Sequence, residues 1–150
     1  MQTYNQVLTA IKTVGTNNKF VNAVTSGTLA DADIKKTTHF PFIHIVLAGA
    51  SQDAQEITYN VDIYVGETIL ADESNEDEAL SNTLQIITDV IAQVRFAGVS
   101  ASSVDDQYRI DLPIACEPFL DRFDNLITGW KATLPIRTAN PLNACIAPTS

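Results

Sequence analysis

The chain is predicted to fold as an α+β two-layer sandwich, with an antiparallel sheet of four to five strands packed against two helices in the order α-(β)-β-β-α-β-β. Two observations carry that expectation. Four runs alternate apolar and polar residues and fall into two pairs: Phe40–Leu47 with Ile57–Val65, and Tyr108–Cys116 with Leu126–Ile136. Two other stretches repeat their apolar residues at helical spacing, one before the first pair and one between the pairs. One-sided alternation leaves a sheet with a bare apolar face, and two amphipathic helices are what would cover it.

Each element has its own signal. In the first helix Tyr4, Val7, Leu8, Ile11 and Val14 share a face, and Gly15 with Asn17 and Asn18 supplies the stop. A short alternating piece over Lys19–Val24, with Phe20 facing inward, is a candidate edge strand, followed by a polar loop over Thr28–Lys36. The first strong strand is β-branched and aromatic, with Pro41 near its start, where a missing N–H does least harm. A loop over Ala48–Gln55 leads to a strand with Ile57, Tyr59, Val61, Ile63 and Val65 on one face. Thr58, Asn60, Asp62 and Tyr64 lie on the other, and Gly66 closes it. The long helix is expected over Ser74–Arg95, its stripe formed by Ala79, Leu80, Leu84, Ile87, Ile91 and Val94 and widened by Ile86 and Val90. Carboxylates at its start and Arg95 at its end suit the helix dipole. A loop over Gly98–Asp106 follows, and Pro113 inside Tyr108–Cys116 marks an edge strand or a bulge. Glu117–Asn125 reads as a connector, and Gly129 inside the last strand marks a bulge or a close backbone approach. Residues 1–138 make one domain, and 139–150 read as an extended C-terminal tail.

Composition excludes several function classes. A net charge of −9, with only nine scattered Lys and Arg residues, argues against a face that holds nucleic-acid phosphates. No apolar stretch approaches the roughly 18 residues of a membrane span, and no basic segment leads into an apolar core as in a signal peptide. Cys116 and Cys145 have no CxxC or zinc spacing, so buried free thiols in an intracellular protein are expected. The six glycines stand singly at 15, 27, 49, 66, 98 and 129, which builds no phosphate loop.

Candidate sites are few. Five of the seven residues from Asp72 to Glu78 are acidic: Asp72, Glu73, Glu76, Asp77 and Glu78. A calcium loop needs ligands at fixed spacing and a central glycine, which this segment lacks, so it reads as a solvated helix start or a charged contact with a neighbouring subunit. His39 and His44 lie five residues apart on one strand and point to opposite faces, so they cannot hold one ion together. His44 reads as a satisfied core or interface histidine. No nucleophile with its base appears, and no catalytic residue, metal or cofactor is expected. The aromatic connector is the more informative segment. Phe119, Arg122 and Phe123 there, with Leu142 and Ile146 in the tail, are candidate subunit-interface residues, since aromatics and arginine are enriched at interfaces.

The layout has a precedent. A leading helix, a strand with proline near its start (Phe40-Pro41-Phe42-Ile43), and a strand of the form Tyr59-x-Val61-x-Ile63-x-Val65 come first. A long helix follows, then a final pair joined through an acidic-aromatic segment into Gly129-Trp130-Lys131-Ala132-Thr133-Leu134-Pro135-Ile136. Over Tyr4–Ile136 this resembles the tail terminator or tail-completion proteins of tailed bacteriophages, small α+β proteins that form a hexameric ring where the tail meets the neck. The resemblance implies a structural virion protein, assembled in the host cytoplasm, with the tail tube and a neck or head-closure protein as partners. It implies no enzymatic activity. DNA would pass through such a ring without being specifically bound, and a lumen lined with carboxylates such as Asp72–Glu78 would repel it. A head-closure stopper, a tail tube protein or a non-viral α+β binding domain are the alternatives.

Overall fold

Backbone hydrogen bonding organises the chain into one sheet with both helices on the same face. The computed structural model describes residues 3–27, 41–68, 74–101, 107–122 and 126–139. Chain order is α1 (Tyr4–Asn17), β1 (Ala23–Ser26), β2 (Phe42–Gln52), β3 (Glu56–Thr68), α2 (Glu76–Ser100), β4 (Arg109–Ile110), β5 (Cys116–Arg122) and β6 (Leu126–Ala139). The sheet order is β1-β2-β3-β6-β4, with β5 also pairing β6. The α+β class is as expected. Among the described residues the strands number six rather than four to five, and the sheet is mostly antiparallel, with β1 parallel to β2.

Helix α1 starts in a capping box: Thr3 Oγ1 accepts from the Gln6 backbone N–H at 3.3 Å, and Gln6 Oε1 accepts from the Thr3 N–H at 2.8 Å. Its buried residues are Val7, Ile11 and Gly15, and the missing side chain of Gly15 lets the helix settle on Val24 and Ile43. The proposed edge strand over Lys19–Val24 forms later, at Ala23–Ser26, and Phe20 is 63% exposed rather than inward. The expected loop over Thr28–Lys36, and Phe40 and His39 with it, lies outside the described residues.

Strands β2 and β3 are longer than their alternation suggested. β2 continues to Gln52 through a register shift between Leu47 and Gly49, so the turn shrinks to Asp53–Gln55, closed by Asp53 N–H donating to Glu56 O at 2.7 Å. Beyond that shift the residues are small and polar, which concealed the strand. β3 passes through Gly66 to Thr68, because β6 matches it residue for residue from Ala139 to Ile127.

Helix α2 begins at Glu76 after Asn75, not at Ser74, and ends at Ser100, five residues beyond Arg95. Its last turn therefore holds no basic residue, and Arg95 Nε instead donates to Ile110 O at 3.4 Å. The buried stripe keeps Ala79, Ile86, Ile87, Val90 and Val94 of the expected set and adds Thr83 and Gly98, while Leu84 is 38% exposed. Both additions are small residues. Thr83 satisfies its hydroxyl on Ala79 O at 2.7 Å, and Gly98 admits the ring of Tyr108 against the helix. The Tyr108 hydroxyl in turn donates to Val94 O at 2.6 Å, locking β4 to the end of α2.

The expected strand Tyr108–Cys116 is broken. Arg109–Ile110 pairs with β6, and the chain then bends through a cis Leu112–Pro113 peptide, with Leu112 57% exposed. It rejoins the same edge of β6 at Cys116↔Ala132, so the residues expected as a connector form β5 instead. Ile110 pairs with Ile136 and Cys116 with Ala132, so two residues of this split edge are looped out at the bend. Pro113 thus lies at an irregular edge, where a strand tolerates proline.

The core lies between the sheet and the helices. Ile43 and Ile45 (β2), Val61, Ile63 and Val65 (β3), and Ala132, Leu134 and Ile136 (β6) meet Val7, Ile11, Ile87, Val90 and Val94. Trp130 reaches the start of α2, its Nε1–H donating to Leu80 O at 2.8 Å.

Gly129 is a site of close backbone approach. A Cβ there would sit 1.9 Å from Val65 O and 2.9 Å from Gly66 Cα, both backbone atoms that cannot turn aside. Gly129→Ala should therefore cost about 3 kcal/mol in urea unfolding. Gly49→Ala, which meets nothing within 4 Å, should stay within about 0.5 kcal/mol of the parent.

Burial pushes the Tyr108 hydroxyl up to about 12. A raised folded-state value means that the native state holds this proton more tightly than the unfolded chain does. Its stabilisation is complete below about pH 10, the unfolded value, and fades as the pH climbs towards 12. Burial also raises Tyr4 and Tyr59. Tyr108→Phe should accordingly flatten, without abolishing, the fall in unfolding free energy between pH 9.5 and pH 11, measured by denaturant titration.

Candidate functional site

The sheet has a second face, turned away from the helices, and strand register decides what it displays. Phe42, His44 and Val46 of β2 align with Gly66, Tyr64 and Asp62 of β3, and these align in turn with Gly129, Lys131 and Thr133 of β6. On the far side, Phe119 and Glu117 of β5 continue two of those rows. One end of the face is aromatic. Phe42 lies against Gly66, and the Phe119 and Tyr64 rings meet edge to face with centroids 5.7 Å apart. Lys131 Nζ stands 5.9 Å above the Tyr64 ring.

The other end is charged, and its charges are paired. Asp62 accepts from the Thr133 hydroxyl at 2.6 Å and lies 3.7 Å from Lys131 Nζ. Arg109 bridges Glu56 at 3.2 Å and Asp111 at 3.3 Å. Arg137 Nε approaches the second oxygen of Asp111 at 3.1 Å, an ion pair whose alignment falls short of a hydrogen bond. The arginine pairs are substantially exposed, so each contributes at most about 1 kcal/mol. Their larger effect is to neutralise three of the nine basic residues on one face of an acidic protein.

His44 is fully buried, with Nδ1 2.6 Å from Thr25 Oγ1 on the neighbouring strand, which matches the core histidine expected. Asp62 belongs to the next cross-strand pair along and is engaged towards β6. Among the described residues no three His, Cys, Asp or Glu side chains converge as a metal site. Cys116 is a free thiol, half-buried rather than buried, and burial raises its pKa. Cys145 lies outside the described residues.

The candidate interface residues separate. Phe119 folds back onto Tyr64 within its own chain. The backbone of Arg122 pairs with Leu126 at the end of β5. Phe123, Leu142 and Ile146 lie outside the described residues. In the acidic segment, Asp72 and Glu73 also fall outside them, whereas Glu76, Asp77 and Glu78 form the first turn of α2. Sequence reasoning missed Glu67, which the extension of β3 past Gly66 brings towards that turn. Its carboxyl is pushed up by burial and then by the charge of Glu78. The sequence carried no signal for it, because the alternation of β3 breaks at Gly66 and a charged residue takes the next inward position.

The sequence matches no protein-family model and no curated protein.

The raised value at Glu67 means that the folded state takes up its proton more readily than the unfolded chain. Ionised Glu67 therefore opposes folding once the pH rises above its folded-state value, and the penalty disappears below the unfolded value of about 4.5. Glu67→Gln should raise the urea midpoint at pH 7 and lose that advantage by pH 4.

Proposed function

We propose that this protein is a structural subunit of a tailed-bacteriophage virion: a tail terminator that assembles as a hexameric ring, caps the tail tube and joins it to the neck. The observation that carries the reading is the division of charge over the surface. On the face of the sheet turned away from the helices, Arg109, Arg137 and Lys131 are each paired with carboxylates. At the start of α2, Glu76, Asp77 and Glu78 crowd one helical turn with Glu67 beside them, and no ion pair joins these four to a basic group among the described residues. A ring that passes DNA needs a wall which repels phosphate and holds no free cationic patch, and that turn supplies such a wall. The electrically balanced face suits contact with other proteins, where unpaired charge would be costly to bury.

Native mass spectrometry and negative-stain microscopy of the full chain test the proposal. A sixfold ring, or sixfold decoration of the ends of purified tail tubes, is the expected result. A chain that stays monomeric at high concentration and ignores tube ends would rule the reading out.

A further inference from the structure

Sheet edges expose rows of unpaired backbone groups, and most stretches of edge in this protein are guarded. β1 is only four residues long. β5 carries Pro118, Glu117, Asp121 and Arg122, and β4 is two residues long beside the Pro113 bend. Short strands, proline and charge are the usual means of discouraging another strand from adding on. The distal half of β2 lacks them. β1 pairs with β2 only from Phe42 to Ile45, so Val46–Gln52 bond to β3 alone among the described residues. That stretch, Val-Leu-Ala-Gly-Ala-Ser-Gln, has no charge and no proline, and Leu47, Ala48, Ala50, Ser51 and Gln52 are exposed. The bulge at Ala48 interrupts it once, and Gly49–Gln52 then resume register with β3.

An open strand edge recognises one kind of ligand well, an extended polypeptide that supplies the missing hydrogen bonds. The chain itself contains a fitting segment. Eleven residues follow Ala139, none of them charged, with Leu142 and Ile146 as the large apolar side chains. Ala139 pairs with Glu56 beside the β2–β3 turn, so the chain leaves β6 at the same end of the sheet as Gln52. Eleven extended residues reach about 36 Å, whereas β2 lies two strand spacings, about 10 Å, from β6. Length therefore allows docking on the tail's own β2 or on a neighbour's. Charge favours the neighbour. Copies of a chain with net charge −9 repel one another, and an uncharged tail meeting an uncharged edge is a contact they can make without opposing like charges.

We infer that the C-terminal segment Leu142–Ala147 of one copy adds as a strand to the open edge of β2, at Val46–Gln52, of the next copy. This rests on the ring assembly proposed above and assigns one of its subunit contacts. Because a tail and an edge are different surfaces, the contact is head-to-tail and can propagate around a closed ring.

The test uses Cys145, which lies inside the docking segment. In a full-length Cys116→Ser background, Ala48→Cys, Ala50→Cys and Gln52→Cys are introduced one at a time and the protein is oxidised. At least one position should give a ladder of covalent dimers and higher species on non-reducing gels. A linked species of monomer mass, or no link from any position, overturns the inference. Ending the chain at Ala139, with folding checked by circular dichroism, should raise the concentration needed for half-assembly about a hundredfold, as expected for the loss of several strand hydrogen bonds. A hexamer that survives this truncation and gives no cross-link sinks the tail contact and leaves the ring standing. A full-length chain that neither assembles nor cross-links sinks both.

Discussion

The pairing of β3 with β6 is the constraint on which the rest of the structure depends. Every residue of β3, from Glu56 to Thr68, has a partner in β6, and these two strands occupy the middle of the sheet. β2 attaches on one side of the pair and the split β4/β5 edge on the other, so neither flank has a place without it. The contact is tightest at Gly66↔Gly129, where backbone approaches backbone too closely for a side chain at Gly129. Alternation along the two strands then sorts the molecule. Val61, Ile63 and Val65 with Leu134 and Ala132 face the helices, and Asp62 and Tyr64 with Thr133 and Lys131 face outwards.

That sorting was legible in the sequence because a period of two is hard to imitate. The inward and outward sets of β3 came out as read, and so did the two helices as elements, the class of the fold and the close approach at Gly129. The failures have local causes. Loop-like composition hid the distal half of β2, since Ala48-Gly49-Ala50-Ser51 carries no hydrophobic pattern and is held in the sheet by β3. The stripe of α2 was incomplete because Thr83 and Gly98 were not counted as inward residues, although one bonds back to its own helix and the other receives Tyr108. β5 was read as a connector because Pro118 and three charges disguise a strand that β6 organises.

The candidate site was less legible than the fold. Ion pairs such as Asp62–Lys131 and Arg109–Glu56 join residues 69 and 53 positions apart, and only strand register brings them together. The acidic turn was visible as composition, but the approach of Glu67 depends on how far β3 runs. The proposed function therefore draws on an arrangement of charge that no single motif encodes: pairing across strands on one face, and crowding at a helix start with no paired basic group among the described residues.

The position of β6 in the chain also has a consequence for how the protein is made. Its partner β3 is complete by Thr68, yet the strand that fills the slot beside it begins only at Leu126. During synthesis the β2–β3 hairpin must wait for nearly sixty residues to emerge, with an unpaired apolar strand on one side and the unguarded β2 edge on the other. Contacts of such long sequence separation also slow folding once the chain is free. For the nascent protein, the interval before β6 arrives is the period of greatest exposure to strand-mediated aggregation, and cellular holdases would have most to do then.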